Sequence, residues 1–389
     1  MQVLFVHEVD YLRKPIYEIH EFAELLSLRK HAVSFIDFPE SESLKSRRLR
    51  VRRSTITGRV IPDARLELIS PPLIFAGLLG RLISPFIFIV VFIRHIRRCR
   101  PDVIVNYSVP SSGWCVVLIS RLMRIPVVYR AIDVPHLLRR TSLSWLVARA
   151  ERIVCRNAKS VLANNQLLEK RCGALGARHT ATLAPGFEFP LHSSNVVQPP
   201  EYDCVFMGTL FRFSGLNDLI QLLHDNTAVR ELSLLVIGDG EASDSLRQLV
   251  SKLHMQRRVT FVGAVPFDQL PAQLSRAAVG VLPFKVSAVT EHALPAKAFQ
   301  YVLAGLPVVS TPLAGLMEAL RDGCGVKYKE MGPLFVNQIA DLSSNQGQRE
   351  QLVINGQSHI HETMNWTRVI EEFENLLRTM ASKSRDEGT

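Results

Sequence analysis

The chain has 389 residues, of which 47% are hydrophobic and 21% are charged, and its formal net charge is +10. This composition excludes a disordered chain, and the length predicts two domains that are each large enough to bury a core. The six cysteines form no C-x-x-C pair, which excludes the common zinc and redox motifs and indicates the reduced thiols of a cytosolic protein.

The amino-terminal half alternates between short apolar runs and helical patterns. An apolar run at 2–6 is followed at once by acidic residues, so it predicts a buried strand and not a signal peptide. The next pattern predicts a helix over 16–29, with Glu18, Glu21 and Glu24 on its outer side. Further strands are predicted at 32–36, 103–106, 127–130, 161–163 and 182–183, and helices at 113–124 and 145–156. This alternation implies a parallel sheet that is covered on both faces.

Two basic clusters lie in this half. Their members are Lys45, Arg47, Arg48, Arg50, Arg52, Arg53 and Arg59 in the first, and Arg94, Arg97, Arg98 and Arg100 in the second. Such clusters attract nucleic acid or an anionic membrane. No nucleic-acid-binding motif or aromatic stacking pattern accompanies them, so the sequence favours an anionic membrane surface as partner and no nucleic acid.

The apolar segment 71–93 is nearly long enough to span a bilayer, which takes ~20 apolar residues. Arg81 in its middle and the helix breaker Pro85 argue against a span, and a span would put parts of one sheet on opposite sides of the membrane. We therefore predict a helix that is buried partly in the fold and partly in the membrane surface, so that 71–100 is a membrane-associating segment. A plain core helix is the alternative.

The polar stretch 189–202 contains Pro190, Pro199 and Pro200 and predicts an interdomain linker. A second alternating series follows it, with strands predicted at 204–207, 233–237, 259–262, 279–282 and 307–310. A last amphipathic helix is predicted over 366–380.

The stretch 297–311 combines a cation, a short helical pattern and a buried strand. Lys297 lies near the start of the helical pattern, where free backbone N–H groups favour phosphate. Gln300, three residues on, shares a helix face with Lys297, and Tyr301 follows it. A cation beside a hydrogen-bonding amide suits a ribose diphosphate. Gly208, at the end of the strand predicted at 204–207, lets the backbone approach such a phosphate closely.

This stretch also carries a family resemblance. Residues 295–309 read Pro-Ala-Lys-Ala-Phe-Gln-Tyr-Val-Leu-Ala-Gly-Leu-Pro-Val-Val, which resembles the donor-site signature of GT-B glycosyltransferases, especially glycosyltransferase family 4. The Lys-x-x-Gln-Tyr variant is most similar to the membrane-associated glucuronosyltransferase type of exopolysaccharide assembly. The resemblance implies a GT-B fold, in which two doubly wound Rossmann-like domains face a cleft. It also implies no metal and no cofactor, since the nucleotide-sugar is a substrate.

The resemblance further implies a division of labour along the chain. Residues 1–188 would bind the acceptor, 203–365 would bind the nucleotide-sugar, and the helix at 366–380 would return to the first domain. Gly238 and Gly240 are similar to the family's cleft-lining loop, and Gly263 to the loop whose backbone contacts the base. Ordinary exits from strands remain the alternative for these three glycines.

The chain departs from the family at its acidic pair. The Gln300 position is usually Glu, the second acid of a spaced pair, whereas here His292 lies eight residues before it and Glu291 one further off. The departure leaves open whether transfer retains or inverts the anomeric configuration.

A second departure concerns the phosphate-binding cations. Thr209 and Ser214 stand where the family usually has Arg and Lys. Phosphate charge is then expected to fall on Lys297, on backbone amides and on Arg212.

A general base is predicted in the first half. The strand at 127–130 leads into Asp133, and ligands of open α/β sheets bind outside such carboxyl ends. The Tyr-Arg-Ala-x-Asp string resembles the region that holds the base in the glucuronosyltransferase type. An Asp that only caps the next helix is the alternative. Further acceptor-side candidates are His7, Glu8, Asp10 and His136.

These observations predict a metal-independent hexosyl- or uronosyl-transferase. It would move a sugar from a nucleotide-sugar to a membrane-borne, lipid-linked or saccharide acceptor in surface polysaccharide or glycoconjugate assembly, on the cytoplasmic face of the cell membrane. Two alternatives remain open: a nucleotide-sugar epimerase on the same fold, and a non-catalytic membrane-binding protein with a degraded donor site.

Overall fold

The computed structural model describes residues 1–13, 16–38, 50–72, 77–138, 144–188 and 199–386. The chain divides into two compact units. The first unit comprises Met1–Gly186 together with Thr367–Thr389, and the second comprises Phe187–Trp366.

The first unit is built on an eight-stranded sheet. Its strands are β1 (Gln2–Val6), β2 (Ala32–Ile36), β3 (Arg52–Thr57), β4 (Arg65–Ser70), β5 (Val103–Asn106), β6 (Val127–Ala131), β7 (Ser160–Ala163) and β8 (Thr180–Thr182). The spatial order is β3-β4-β2-β1-β5-β6-β7-β8, and every pair is parallel except β3 with β4. The inner strands are short apolar runs because helices bury both faces of a parallel sheet.

Helices connect these strands in the manner of a doubly wound fold. They are α1 (Glu18–Leu28), α2 (Gly77–Cys99), α3 (Gly113–Leu122), α4 (Pro135–Leu138), α5 (Ser144–Asn157) and α6 (Gln166–Ala174). Because each crossover returns the chain to the start of the next parallel strand, α2, α3, α5 and α6 all end at the amino-terminal edge of the sheet. The carboxyl ends of the strands form the opposite edge.

The hairpin of β3 and β4 is absent from the sequence-based prediction. Strand β3 reads RRSTIT and is only half-buried along its length, so it lacks the apolar run that marked the inner strands. Part of the first basic cluster therefore lies in an edge strand, and Arg59 just after it donates from Nη1 to the Tyr11 carbonyl at 2.7 Å. Lys45, Arg47 and Arg48 lie outside the described residues.

Helix α2 accounts for the apolar segment. Its carboxyl half packs Phe88, Phe92 and Ile96 into the core, whereas Phe86 and Val90 are 70% and 49% exposed. Among the described residues, no helix combines the length and the apolar character that a bilayer crossing requires. The helix is thus a core element with an apolar exposed stripe, and its association with a membrane stays a prediction.

The second unit is built on a six-stranded parallel sheet. Its strands are β9 (Tyr202–Met207), β10 (Leu234–Ile237), β11 (Val259–Gly263), β12 (Ala277–Leu282), β13 (Val308–Ser310) and β14 (Val326–Tyr328). Its helices are α7 (Leu216–Asp225), α8 (Ser243–Lys252), α9 (Leu270–Leu274), α10 (Ala296–Leu303), α11 (Ala314–Ala319), α12 (Pro333–Ser344) and α13 (Gln346–Met364). The spatial order is β11-β10-β9-β12-β13-β14. The predicted class, two doubly wound α/β domains, is confirmed.

The boundaries of the predicted linker and of the predicted last helix differ slightly from those in the structure. Residues 189–198 of the predicted linker lie outside the described residues, and its last residue, Tyr202, already belongs to β9. The last helix, α14 (Trp366–Asp386), continues beyond the predicted end at residue 380 and falls with the first unit from Thr367 onward. Its Phe373 ring packs on the Phe22 ring of α1, with 4.4 Å between centroids.

Candidate functional site

The strand order of the second unit reverses beside β9. The chain runs from β9 outward to β10 and β11 and then returns to the other side of β9 with β12. In open α/β sheets, ligands bind outside the carboxyl ends of the strands at such a switch point. The candidate site is therefore expected where β9 and β12 end.

Three predicted glycines form one backbone edge at this point. Gly208, Gly238 and Gly263 have φ values of 119°, 129° and 76°, a region that favours glycine. The Gly238 N–H donates to the Gly263 carbonyl at 2.7 Å, and a Cβ on Gly238 would lie 2.1 Å from the Gly208 oxygen. No atom lies within 4 Å of a Cβ built on Gly263, so this end of the edge is open.

The loops after β9 and β10 are joined by backbone contacts. Leu210 N–H donates to the Asp239 carbonyl at 3.0 Å, and a Cβ on Gly240 would lie 2.7 Å from Leu210 backbone atoms. Arg212, one turn along the same loop, is exposed, and its backbone N–H donates to Glu241 Oε1 at 3.3 Å. Gly240 thus serves loop packing, and Arg212 is an exposed cation on the same loop.

Lys297 lies against the Gly208 edge. It sits in the first turn of α10, and a Cβ on Gly208 would be 2.7 Å from the Lys297 Nζ. The Nζ also lies 4.3 Å from the ring centroid of Phe206 and 5.1 Å from that of Phe284. Desolvation lowers the pKa of Lys297 to about 7. Within the described part of the chain, no carboxylate pairs with this amine.

The two rings beside Lys297 are functional neighbours that the sequence reasoning missed. Phe206 is the next-to-last residue of β9, and Phe284 follows β12 by two residues, so both read as ordinary core positions. A cation held over aromatic faces is stabilised by cation–π attraction without being neutralised. The amine therefore keeps its attraction for an incoming anion.

The other two residues of α10 have different environments. Gln300 is half-buried and one helical turn beyond Lys297, as predicted from their spacing. Tyr301 is fully buried, and its hydroxyl accepts a hydrogen bond from the Met207 N–H at 2.6 Å. The predicted contact of Tyr301 with a donor is corrected to a positioning role, because its hydroxyl holds the end of β9 just before Gly208.

In the first unit, the predicted base lies at the expected edge. Asp133 is half-buried, two residues after the end of β6 and two before the start of α4. His136, in α4, contacts Glu151 with 3.3 Å between Nδ1 and Oε2. Glu151 also accepts from Arg171 Nη2 at 2.7 Å, so it orients both side chains.

His7 follows β1 and lies in an aromatic cluster. Its ring stacks on Tyr107 with 5.5 Å between centroids, and it meets the Tyr17 ring edge-on at 5.8 Å. Its Nδ1 accepts a hydrogen bond from the Glu8 N–H at 2.6 Å, which leaves Nε2 as the nitrogen that carries a proton in the neutral ring.

Glu8 and Asp10 have structural roles instead of the predicted acceptor-side role. Glu8 is buried, and its Oε1 accepts from the Ser108 hydroxyl at 2.7 Å and from the N–H groups of Val109 and Ser111 at 3.0 and 2.6 Å. Asp10 is also buried and accepts from the N–H groups of the two residues that begin the following turn, Leu12 and Arg13. Glu8 thus satisfies loop amides that include the buried amide of Val109, and Asp10 holds the amides of the following turn.

Two glutamates of α1 are buried, contrary to the prediction that they face outward. Glu18 forms a bidentate pair with Arg130, with Nε–Oε1 and Nη2–Oε2 distances of 2.8 and 2.9 Å, and Arg130 is 1% exposed. Glu24 accepts from the Tyr11 hydroxyl and from three loop N–H groups at 59–61. Arg130 is the arginine of the Tyr-Arg-Ala-x-Asp string, and it serves as a structural anchor.

No group of three or more His, Cys, Asp or Glu side chains that could hold a metal ion occurs in the part of the chain that the structure describes.

Comparison with known proteins places both units in glycosyltransferase families. The family described as "Glycosyl transferase 4-like domain" matches residues 18–186, and the family described as "Glycosyl transferases group 1" matches residues 201–345. An uncharacterised glycosyltransferase from Methanocaldococcus jannaschii is 28% identical over 184 residues, which is 47% of this chain and 46% of that protein. The chain thus matches about half the length of this relative.

Solved structures share the fold over nearly the whole chain. Sucrose-phosphate synthase from Thermosynechococcus elongatus aligns with a TM-score of 0.79 and 15% identity, covering 98% of this chain and 100% of that one. Anabaena HepE in complex with UDP-glucose aligns with a TM-score of 0.71 and 17% identity, covering 97% and 100%.

Proposed function

Because this chain belongs to the GT-B glycosyltransferases, with GT4-like domains, we propose that it transfers a sugar from a nucleotide-diphosphate donor to a membrane-borne acceptor. One observation carries the proposal. The Lys297 amine has no carboxylate partner among the described residues and lies against the glycine edge where β9, β10 and β11 end. An unneutralised cation beside exposed backbone is the arrangement that a diphosphate requires.

The donor proposal assigns a role to each residue of this edge. Lys297 and the backbone at Gly208 and Gly238 hold the diphosphate, and Gln300 donates to a hydroxyl of the sugar or ribose. The open backbone at Gly263 receives the base. Anabaena HepE has been solved with UDP-glucose, so a UDP-sugar is the first donor to test.

The proposed transfer forms one bond at the anomeric carbon and breaks one. The acceptor oxygen forms a bond to the anomeric carbon, and the bond from that carbon to the β-phosphate oxygen breaks. The diphosphate leaves with the electron pair, and Lys297 stabilises its charge. Asp133 takes the proton of the acceptor hydroxyl. The charge of Lys297 supports a metal-independent reaction, so activity is expected to survive treatment with EDTA.

The acceptor is assigned to the first unit. His7 and His136 flank the carboxyl edge of its sheet together with Asp133, and α2 offers the exposed apolar side chains Phe86 and Val90. An apolar stripe beside basic residues suits a surface that works at a membrane. A lipid-linked saccharide is therefore the proposed acceptor class, as in the assembly of surface polysaccharides or glycoconjugates.

The decisive experiment follows the release of UDP from a UDP-sugar in the presence of membrane extracts. Lys297→Met is expected to weaken donor binding and to lower UDP release by at least tenfold, because it removes the amine that lies against Gly208. Lys252→Met is the matched control, since it removes an exposed lysine at the end of α8 in the same unit. Equal activity of the two variants would contradict the donor assignment.

The same assay separates the two alternatives. An epimerase would change the sugar configuration while the sugar stays on the nucleotide, which NMR of the donor detects. A non-catalytic protein with a degraded donor site would show no thermal stabilisation by nucleotide and would release no UDP under any acceptor condition. Loss of the donor with formation of a glycosylated lipid is the outcome expected here.

A further inference from the structure

The amino-terminal edge of the first sheet carries a concentration of basic residues. Helices α3, α5 and α6 end at this edge, next to the starts of β6, β7 and β8. Arginine, lysine or histidine occurs in each of the three connections between these helices and strands. The edge lies opposite the carboxyl ends of the strands, so it is separate from Asp133 and His7.

These connections line a half-open cavity of about 500 Å³. Its basic lining residues are Arg121, Arg124, Arg156, Lys159, Arg178 and His179. The remaining described lining is apolar or amide, and it contains no Asp or Glu. A cavity with several cations and no anion has a strongly positive potential, because low-dielectric walls focus the field.

Three of the arginines keep their charge uncompensated. Arg121 donates from Nη1 to Asn157 Oδ1 at 2.9 Å, which is a neutral acceptor. Arg156 packs beside Gly176, where a Cβ would lie 2.9 Å from its Nε. Within the described ranges, no ion pair involves Arg121, Arg156 or Arg178. Helix dipoles favour cations at helix ends, and each of the three connections supplies two, but a dipole does not require all six to line one cavity.

We infer that this cavity is a binding site for a phosphate group that carries more than one negative charge. Guanidinium groups bind phosphate oxygens in a bidentate manner, and converging arginines are the usual means of recognising such groups. The chemistry is shared by a soluble diphosphate and by the phosphate of an anionic lipid headgroup. The inference does not depend on the donor site, which lies in the second unit.

Exposed apolar side chains lie next to two of the lining residues in the sequence of α3. Leu118 and Leu122 of α3 are 38% and 85% exposed, and they adjoin the lining residues Val117 and Arg121 in sequence. A lipid phosphate would bring acyl chains toward such residues, whereas a soluble diphosphate would leave them in water. The two sources of phosphate are therefore separable by experiment.

The test compares two double variants of the full chain that remove the same charge. Arg156→Gln with Arg178→Gln removes two lining arginines, and Arg152→Gln with Lys170→Gln removes two exposed cations of α5 and α6 outside the cavity. Sodium pyrophosphate is titrated by calorimetry. Flotation is measured with phosphatidylcholine vesicles, with and without phosphatidic acid.

The cavity double variant is expected to lose about tenfold or more in affinity for pyrophosphate, for phosphatidic acid vesicles or for both, while the control double variant stays within about twofold of the parent. Loss with pyrophosphate identifies a soluble phosphate ligand, and loss with vesicles alone identifies a lipid phosphate. Equal losses in both double variants, or unchanged binding of both probes, would overturn the inference. Abolition of pyrophosphate binding by Lys297→Met would also overturn it if the cavity double variant kept its vesicle binding, because neither probe would then bind in the cavity.

Discussion

At the scale of single residues, the protonation of Lys297 sets a pH dependence for donor binding. Desolvation lowers its pKa to about 7, so the amine of the free protein is charged below that pH and increasingly neutral above it. Only the charged form attracts a diphosphate. Affinity for UDP-glucose is therefore expected to be highest below about pH 7 and to fall by up to roughly tenfold for each pH unit above it.

Lys297→Arg is the control for this prediction, because guanidinium stays charged throughout the range. Its binding curve, measured by calorimetry, is expected to be flat with pH even if its affinity is lower. A wild-type affinity that does not change between about pH 6 and about pH 8 would show that the amine is not the group that titrates.

The role of Asp133 is tested by a nearly isosteric substitution. General-base assistance is typically worth ~10²–10⁴-fold in rate, so Asp133→Asn is expected to lose a factor of that size in sugar transfer. Donor affinity and thermal stability are expected to be retained. Asn is also a good helix cap, so a variant that keeps wild-type transfer would mean that Asp133 only supports the start of α4.

Arg130 holds a buried charge pair, and its removal is expected to be strongly destabilising. Besides the bidentate pair with Glu18, its Nη1 donates to the carbonyls of Ala163 and Leu183 at 3.2 and 2.6 Å. Arg130→Met leaves Glu18 uncompensated, so the free energy of unfolding should fall by roughly 3–5 kcal/mol. Adding Glu18→Gln removes the stranded charge and should restore part of this loss in urea unfolding. Equal stabilities of the single and double variants would contradict the pairing argument.

At the scale of elements, one carboxylate adds to the apolar packing of α14 on the first unit. Glu374 accepts from His31 Nε2 at 2.9 Å and from Arg378 Nη2 at 2.6 Å, and it also pairs with Arg29. Burial raises the pKa of Glu374, but the hydrogen bonds from Arg29, Arg378 and His31 outweigh burial and hold that pKa at about 2. The ion pairs of Glu374 thus help to hold the helix on the first unit, and they require the charged form of its carboxylate.

This pKa predicts an acid-sensitive attachment of α14. An unfolded Glu has a pKa of about 4.3, so the stabilisation is complete above that pH and is lost as the pH falls from there toward about 2. Glu374→Gln is expected to lower the free energy of unfolding at neutral pH, by an amount that shrinks over this acid range. A difference between wild type and variant that stays constant on acidification would refute the role of the charge.

Helix α2 has one apolar face in the core and a second apolar face exposed to solvent. Its buried residues follow the helical period along one face, which explains why the sequence pattern alone was compatible with a core helix. The exposed Phe86 and Val90 are four residues apart and lie on a second face. The sequence pattern does not show which of these two apolar faces is buried, because that depends on the positions of the neighbouring elements.

At the scale of the whole molecule, the uneven distribution of the +10 net charge predicts salt-sensitive binding to anionic vesicles. Binding in flotation assays is expected at low salt and is expected to be lost at high salt, because counterions screen the basic residues. Phe86→Ser with Val90→Ser should weaken binding roughly tenfold by removing apolar contact. Leu334→Ser with Ile354→Ser, which changes comparably exposed residues of the second unit, is the control.

An interfacial surface and a spanning helix differ in extraction behaviour. If cell membranes retain the protein after both high salt and alkaline washing, the interfacial interpretation of α2 is wrong. Equal vesicle binding by the two double variants would remove α2 from the interface and leave only its basic residues as candidates.

The sequence by itself determined the order of most strands and helices. Apolar runs, helical periods and glycines at strand ends are local properties, and both sheets follow from them because parallel strands need crossovers. The proposed donor residues Lys297, Gln300 and Gly208 were predicted from spacing alone, and the structure places Lys297 against Gly208.

Only the tertiary structure decided which polar residues are buried with structural partners. Glu18 and Arg130 are 112 positions apart in the chain, and Glu8 satisfies loop amides about 100 positions away. Their burial depends on partners brought together by the fold, and no periodicity within a helix or strand encodes it. The basic cavity arises in the same way, because separate connections become neighbours only when β6, β7 and β8 pair side by side.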